Sequence, residues 1–114
     1  MENAMKILNN LFVLTFMLLL LNGTALAHKV NLFAYAESGK IYTESYFPDG
    51  RPVEGGKVLV YDSRNKLLLQ GVTDKKGLFN LKIPKIDDLN IVIKATMGHK
   101  NSFKLKKTEV EAGK

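Results

Sequence analysis

From Lys29 onward the apolar residues of this chain recur with a period of two. Val30, Leu32 and Ala34 alternate with Asn31, Phe33 and Tyr35, and after Glu37-Ser38-Gly39 a second run, Ile41, Thr43, Ser45 and Phe47, alternates with Tyr42, Glu44 and Tyr46. Alternation of this kind, rich in β-branched and aromatic residues and split by a turn signal, predicts a β-hairpin. Pro48-Asp49-Gly50 is a strong turn signal, with Arg51-Pro52 continuing the loop. Gly55-Gly56 precedes a third predicted strand over 57–62, and Ser63-Arg64-Asn65 turns the chain into a fourth over 67–72. Asp74-Lys75-Lys76-Gly77 separates that strand from a fifth over 78–83, which Pro84 ends because proline cannot donate to a ladder. Residues 90–97 read as a sixth strand and 100–106 as a seventh, with Gly98 between them. Ile86-Asp87-Asp88 reads as a solvated loop, and the tail over 108–114 has little to bury and reads as flexible.

Seven short strands with turn signals every 8–12 residues predict an all-β fold, an antiparallel seven-stranded sandwich of two sheets. No helical period is visible outside the first residues. These are different in kind: residues 11–21 are almost wholly apolar. Eleven residues are short of the roughly 20 that a transmembrane helix needs, and match the apolar region of a secretion signal. Asn22-Gly23 follows, then Ala25-Leu26-Ala27, an A-x-A cleavage pattern. The expected organisation is therefore a signal peptide over 1–27, a β-domain over 28–107 and a loose tail over 108–114. The competing reading is an uncleaved anchor. Either way the domain is expected to be exported, to a periplasm or to the outer face of the cytoplasmic membrane.

Composition narrows the chemistry. The 114 residues contain no cysteine, which excludes disulfides and thiolate metal sites, so an ordinary apolar core must hold the domain together. The formal net charge is +6. It favours anionic surfaces such as membrane headgroups or nucleic acid without choosing between them. Lys100, Lys104, Lys106 and Lys107 cluster around Phe103; export argues against nucleic acid, leaving a solvated edge strand that discourages aggregation, or attraction to an anionic membrane surface. There is no G-x-S-x-G elbow, no glycine-rich phosphate loop and no H-E-x-x-H pair, so no catalytic residues are assigned and the protein is not expected to be an enzyme.

The two histidines are the sharper candidates. Cleavage after Ala27 would make His28 the first residue, giving one residue two nitrogen donors, the α-amine and the imidazole. Such a pair suits nickel, copper and zinc. His99, in Met97-Gly98-His99, supplies a second imidazole, and Met97 offers either a soft thioether or core filling. Three nitrogens leave coordination positions open, which suits a protein that passes an ion on.

Two resemblances extend this. Lys57-Val58-Leu59-Val60-Tyr61-Asp62 with Gly71-Val72-Thr73-Asp74-Lys75-Lys76-Gly77-Leu78-Phe79 resembles the carboxypeptidase regulatory-like (transthyretin-like) domains, which implies their sandwich fold and almost no function. Ala27-His28-Lys29-Val30-Asn31-Leu32-Phe33-Ala34-Tyr35, Ser45-Tyr46-Phe47-Pro48-Asp49-Gly50-Arg51-Pro52-Val53 and Ala95-Thr96-Met97-Gly98-His99-Lys100 resemble the small extracytoplasmic accessory components of energy-coupling-factor type nickel and cobalt uptake transporters. That resemblance implies transient binding of a nickel or cobalt ion by His28, with His99, beside membrane transporter subunits. Many members of that family continue into a C-terminal membrane helix, whereas this sequence ends in a charged tail at Lys114. The rivals are an interaction module in which the histidines do nothing, and a periplasmic copper chaperone. If His28 and His99 lay at opposite ends of the domain, they could not share an ion.

Overall fold

A computed structural model describes residues 2–22 and 29–114, and side chains at 4–14 and 29–114. Helix α1 (Glu2–Asn22) precedes seven strands: β1 (Asn31–Glu37), β2 (Lys40–Tyr46), β3 (Lys57–Tyr61), β4 (Leu67–Val72), β5 (Leu78–Lys82), β6 (Leu89–Lys94) and β7 (Lys100–Leu105), with helix α2 (Lys107–Ala112) last. No helix among the described residues is long and apolar enough to cross a membrane. The cleavage pattern at Ala25-Leu26-Ala27 and His28 itself lie outside the described residues.

All strand pairing is antiparallel, and the strands form two sheets, β1-β2-β5 and β4-β3-β6-β7. β1 and β2 are joined by the two-residue turn Ser38-Gly39, with φ of 53° and 80°. Both positive angles give the turn twist that matches paired strands, and glycine takes the second without strain. The chain then crosses to the second sheet for β3 and β4, returns to the first for β5, and crosses back for β6 and β7.

The alternating apolar set buries as the period of two requires. Leu32, Ala34, Ile41 and Leu81 of the first sheet share one cluster with Val58, Val60, Leu89, Ile91, Ile93 and Leu105 of the second. Phe79 of β5 marks how closely the sheets meet: a Cβ added to Gly71 of β4 would lie 2.3 Å from its ring. Glycine at 71 leaves the space that the aromatic ring fills.

Two expectations about secondary structure need correction. The sixth strand ends at Lys94 rather than 97, because Thr96–Gly98 coil into a 3₁₀ turn. The tail over 108–114 is not loose: α2 buries Val110 completely in the common core, Gly113 sits against Ala36 of β1, and the Gly113 carbonyl accepts a 2.8 Å hydrogen bond from the Gly39 amide. One fully buried valine and a backbone bond to the hairpin turn hold the segment down. Asp88 Oδ1 accepts from the Lys107 amide at 2.8 Å, satisfying a donor at the start of the helix.

Candidate functional site

His99 lies in the loop that joins β6 to β7. The Ala95 amide donates to the His99 carbonyl at 2.8 Å, which closes the loop and sets Lys94 opposite Lys100 at its base. The tight reversal needs left-handed backbone at two successive residues, Met97 (φ 62°) and Gly98 (φ 77°). Glycine adopts this freely; methionine does so at a cost on the order of 1 kcal/mol. The Met97 side chain is 91% exposed, so it is not core filling.

A second loop faces the first. Phe47 and Arg51 bracket the Pro48-Asp49-Gly50 turn, with the Phe47 amide donating to the Arg51 carbonyl at 2.8 Å. Arg51 folds back so that its guanidinium lies 5.2 Å from the centre of the Phe47 ring, while its Nε donates to Asp49 Oδ2 at 2.7 Å and its amide to Asp49 Oδ1 at 3.1 Å. These two hydrogen bonds hold the Asp49 carboxyl below the usual carboxylate range. Phe47 also meets the half-buried His99 ring edge-on, with centroids 6.2 Å apart at 78°. A chain of contacts thus runs Asp49–Arg51–Phe47–His99.

The third wall is the chain entering β1. Val30 is fully buried, and its carbonyl accepts a 2.8 Å bond from Asn101 Nδ2 in β7. That bond brings Lys29 to the cleft. Lys29, Phe47, Asp49, Arg51, Met97 and His99 line an open depression of about 470 Å³.

The structure brings His99 and Met97 into one cleft, and Lys29, the residue after position 28, lines it too. His28 lies outside the described residues, so its distance from His99 is not part of the geometry. Among the described residues, no group of three His, Asp or Glu side chains is arranged to hold a metal ion. The described donors at the cleft are the His99 imidazole and the Met97 thioether, with the Asp49 carboxylate engaged by Arg51. The Phe47–Arg51 wall was invisible in the sequence, since about fifty residues separate it from His99; the Pro-Asp-Gly signal located a turn but not what it faces.

A second polar cluster sits at the opposite end of β6. Asp62, its side chain 3% exposed, accepts from the Arg64 and Lys66 amides at 2.9 Å and from Lys85 Nζ at 3.1 Å. Asp87 accepts from the Ser63 hydroxyl and amide, and Lys85 stands 3.5 Å away. The Ser63 bonds lower the Asp87 carboxyl to about 2. Asp87 and Asp88 are therefore not solvated loop acids. Each is committed to backbone or side-chain donors, and the cluster fastens the β3–β4 turn to the β5–β6 loop. Neither protein-family models, nor curated proteins, nor solved structures give a match to this chain.

Proposed function

We propose that this protein is an exported domain that holds a transition-metal ion transiently at the cleft and hands it to a membrane transporter, with nickel or cobalt as cargo. In this reading residues 1–27 are removed as a signal peptide, and the two sheets form a transthyretin-like sandwich that carries the site on its loops. The observation that carries the reading is that Lys29 and His99 line the same depression. A chain beginning at His28 would start one Cα step, about 3.8 Å, from Lys29. Its α-amine and imidazole would then reach the cleft where His99 already stands. Met97 supports the same reading, because an exposed thioether held on left-handed backbone has no packing role. Three nitrogens and a soft sulfur leave positions open for a recipient's ligands, which favours transfer over storage.

Mass spectrometry of the exported protein, followed by calorimetric titration with nickel, tests this. The expected mature chain starts at His28. His28→Ala and His99→Ala are each expected to weaken binding at least about tenfold, the loss of one nitrogen ligand being worth roughly 1.4 kcal/mol or more. A glycine inserted before His28 separates the donors, since it keeps the ring and displaces the α-amine. A different mature N-terminus, or wild-type affinity in all three variants, overturns the proposal.

A further inference from the structure

The chain's excess positive charge collects on the outward face of the second sheet. The register puts Lys57 opposite Lys94 and Lys94 opposite Lys100, a row of three lysines across β3, β6 and β7. One rung along, Leu59 stands opposite Val92 and Val92 opposite Ser102; the next rung sets Tyr61, Asn90 and Lys104 side by side. On the β4 side, Val72 and Gln70 complete the first two rungs. All four lysines are exposed, no carboxylate stands on this face, and none of the four is in an ion pair among the described residues. The outward face of the first sheet is balanced instead, with Lys40 and Lys82 offset by Glu37 and Glu44.

Like charges directly opposite each other weaken a sheet. Protection of a sheet edge accounts for lysines on β7, which is an edge strand. It does not account for Lys57 and Lys94, because β3 and β6 are interior strands. We infer that this face docks on an anionic phospholipid surface. The charge is spread in a row roughly 10 Å wide, two interstrand spacings, and Lys94 and Lys100 also border a shallow depression of about 250 Å³ with Tyr61, Asn90 and Val92. Lys57 lies outside that depression, so the full row, spread over three strands, suits a plane of headgroups better than a single small anion. Lys94 and Lys100 flank the loop that bears His99, so docking through their row would set the cleft at headgroup level. The inference stands on charge placement alone and is independent of metal binding.

Residue-resolved amine acylation of the full-length chain, read by mass spectrometry, tests it. The chain is incorporated in phosphatidylcholine vesicles with or without phosphatidylglycerol, so that α1 is accommodated equally in both. Each lysine at an anionic surface contributes about 1 kcal/mol, so acylation of Lys57, Lys94, Lys100 and Lys104 should slow about fivefold in the anionic vesicles. Lys40 and Lys82 should be unaffected, and salt near 1 M, with a Debye length of about 3 Å, should abolish the difference. The double substitution Lys57→Gln, Lys94→Gln removes like-charge neighbours without disturbing the core. It should melt at or slightly above the wild-type temperature while Lys100 and Lys104 lose their protection. Equal labelling of both faces, or equal protection in neutral vesicles, overturns the inference. So does protection by soluble polyglutamate that matches protection by the vesicles, which would assign the face to an anionic polymer.

Discussion

Thr73 is the point at which a sequence motif, a buried polar group and the stability of the fold meet. Its side chain is 4% exposed, and its hydroxyl does two jobs, donating to the Val53 carbonyl at 2.5 Å and accepting from the Gly56 amide at 2.8 Å. Its backbone adds two more bonds to the same loop, Thr73 amide to Gly56 carbonyl and Gly55 amide to Thr73 carbonyl. Thr73→Val keeps the shape and deletes the hydroxyl. The Gly56 amide and the Val53 carbonyl then remain buried without these partners, at about 1–3 kcal/mol each, so a loss of roughly 2–6 kcal/mol is expected. Against a total of about 5–10 kcal/mol for a domain of this size, that is a large fraction. Thr73→Ser is the control: it keeps both bonds and loses one methyl, about 1 kcal/mol. Urea unfolding followed by far-ultraviolet circular dichroism measures both. With a slope near 1.5 kcal/mol per molar urea, the valine variant should unfold roughly 1.3–4 M earlier than wild type, and the serine variant less than 1 M earlier. A valine variant as stable as the serine variant would refute the reasoning, because the hydroxyl would then contribute nothing that a methyl does not.

Two further outcomes follow from the polar cluster and the terminal helix. Asp62 and Asp87 have carboxyls held below their ordinary values, so their contribution is present above the unfolded value near 4 and is lost as pH falls, for Asp87 toward about 2; melting temperature followed from pH 5 to 2 should fall more steeply for the wild type than for Asp87→Asn. Val110→Ala removes two fully buried methyl groups and should cost about 2 kcal/mol, lowering the melting temperature by roughly 8–16 °C; no change would show that α2 does not belong to the cooperative unit.

How far the chain could be read in advance follows from the range of each interaction. Alternation is local, so seven strands were legible from residues such as Val30-Leu32-Ala34 and Ile91-Ile93. Which sheet each strand joins was not, because β5 returns to β2 across almost forty residues. α2 escaped because Val110 is a lone apolar residue in a charged segment and shows no period. It is helical through what it packs on, the core beneath β1. The sixth strand was drawn too long because Ala95, Thr96 and Met97 continue an extended pattern, whereas the reversal into β7 demands positive φ at Met97. Asp87 and Asp88 looked solvated because Ser63 and Lys107, the donors they serve, are distant in sequence. The candidate site divides the same way: the sequence names His99 and Met97 as donors, whereas it gives Phe47 as a strand residue and Asp49 and Arg51 as turn and loop, in a segment that carries a family resemblance but no stated contact with His99.

The strand order has a kinetic consequence. Neither sheet is a contiguous stretch of sequence: the first needs β5, which follows β3 and β4, and the core is closed only by Leu105 and Val110 near the end of the chain. Early segments thus have no complete layer to settle into. Loop closures spanning dozens of residues must precede most of the stabilising contacts, which slows acquisition of the native state. A polypeptide of this sequence can complete its core only once the residues up to Val110 are available to it.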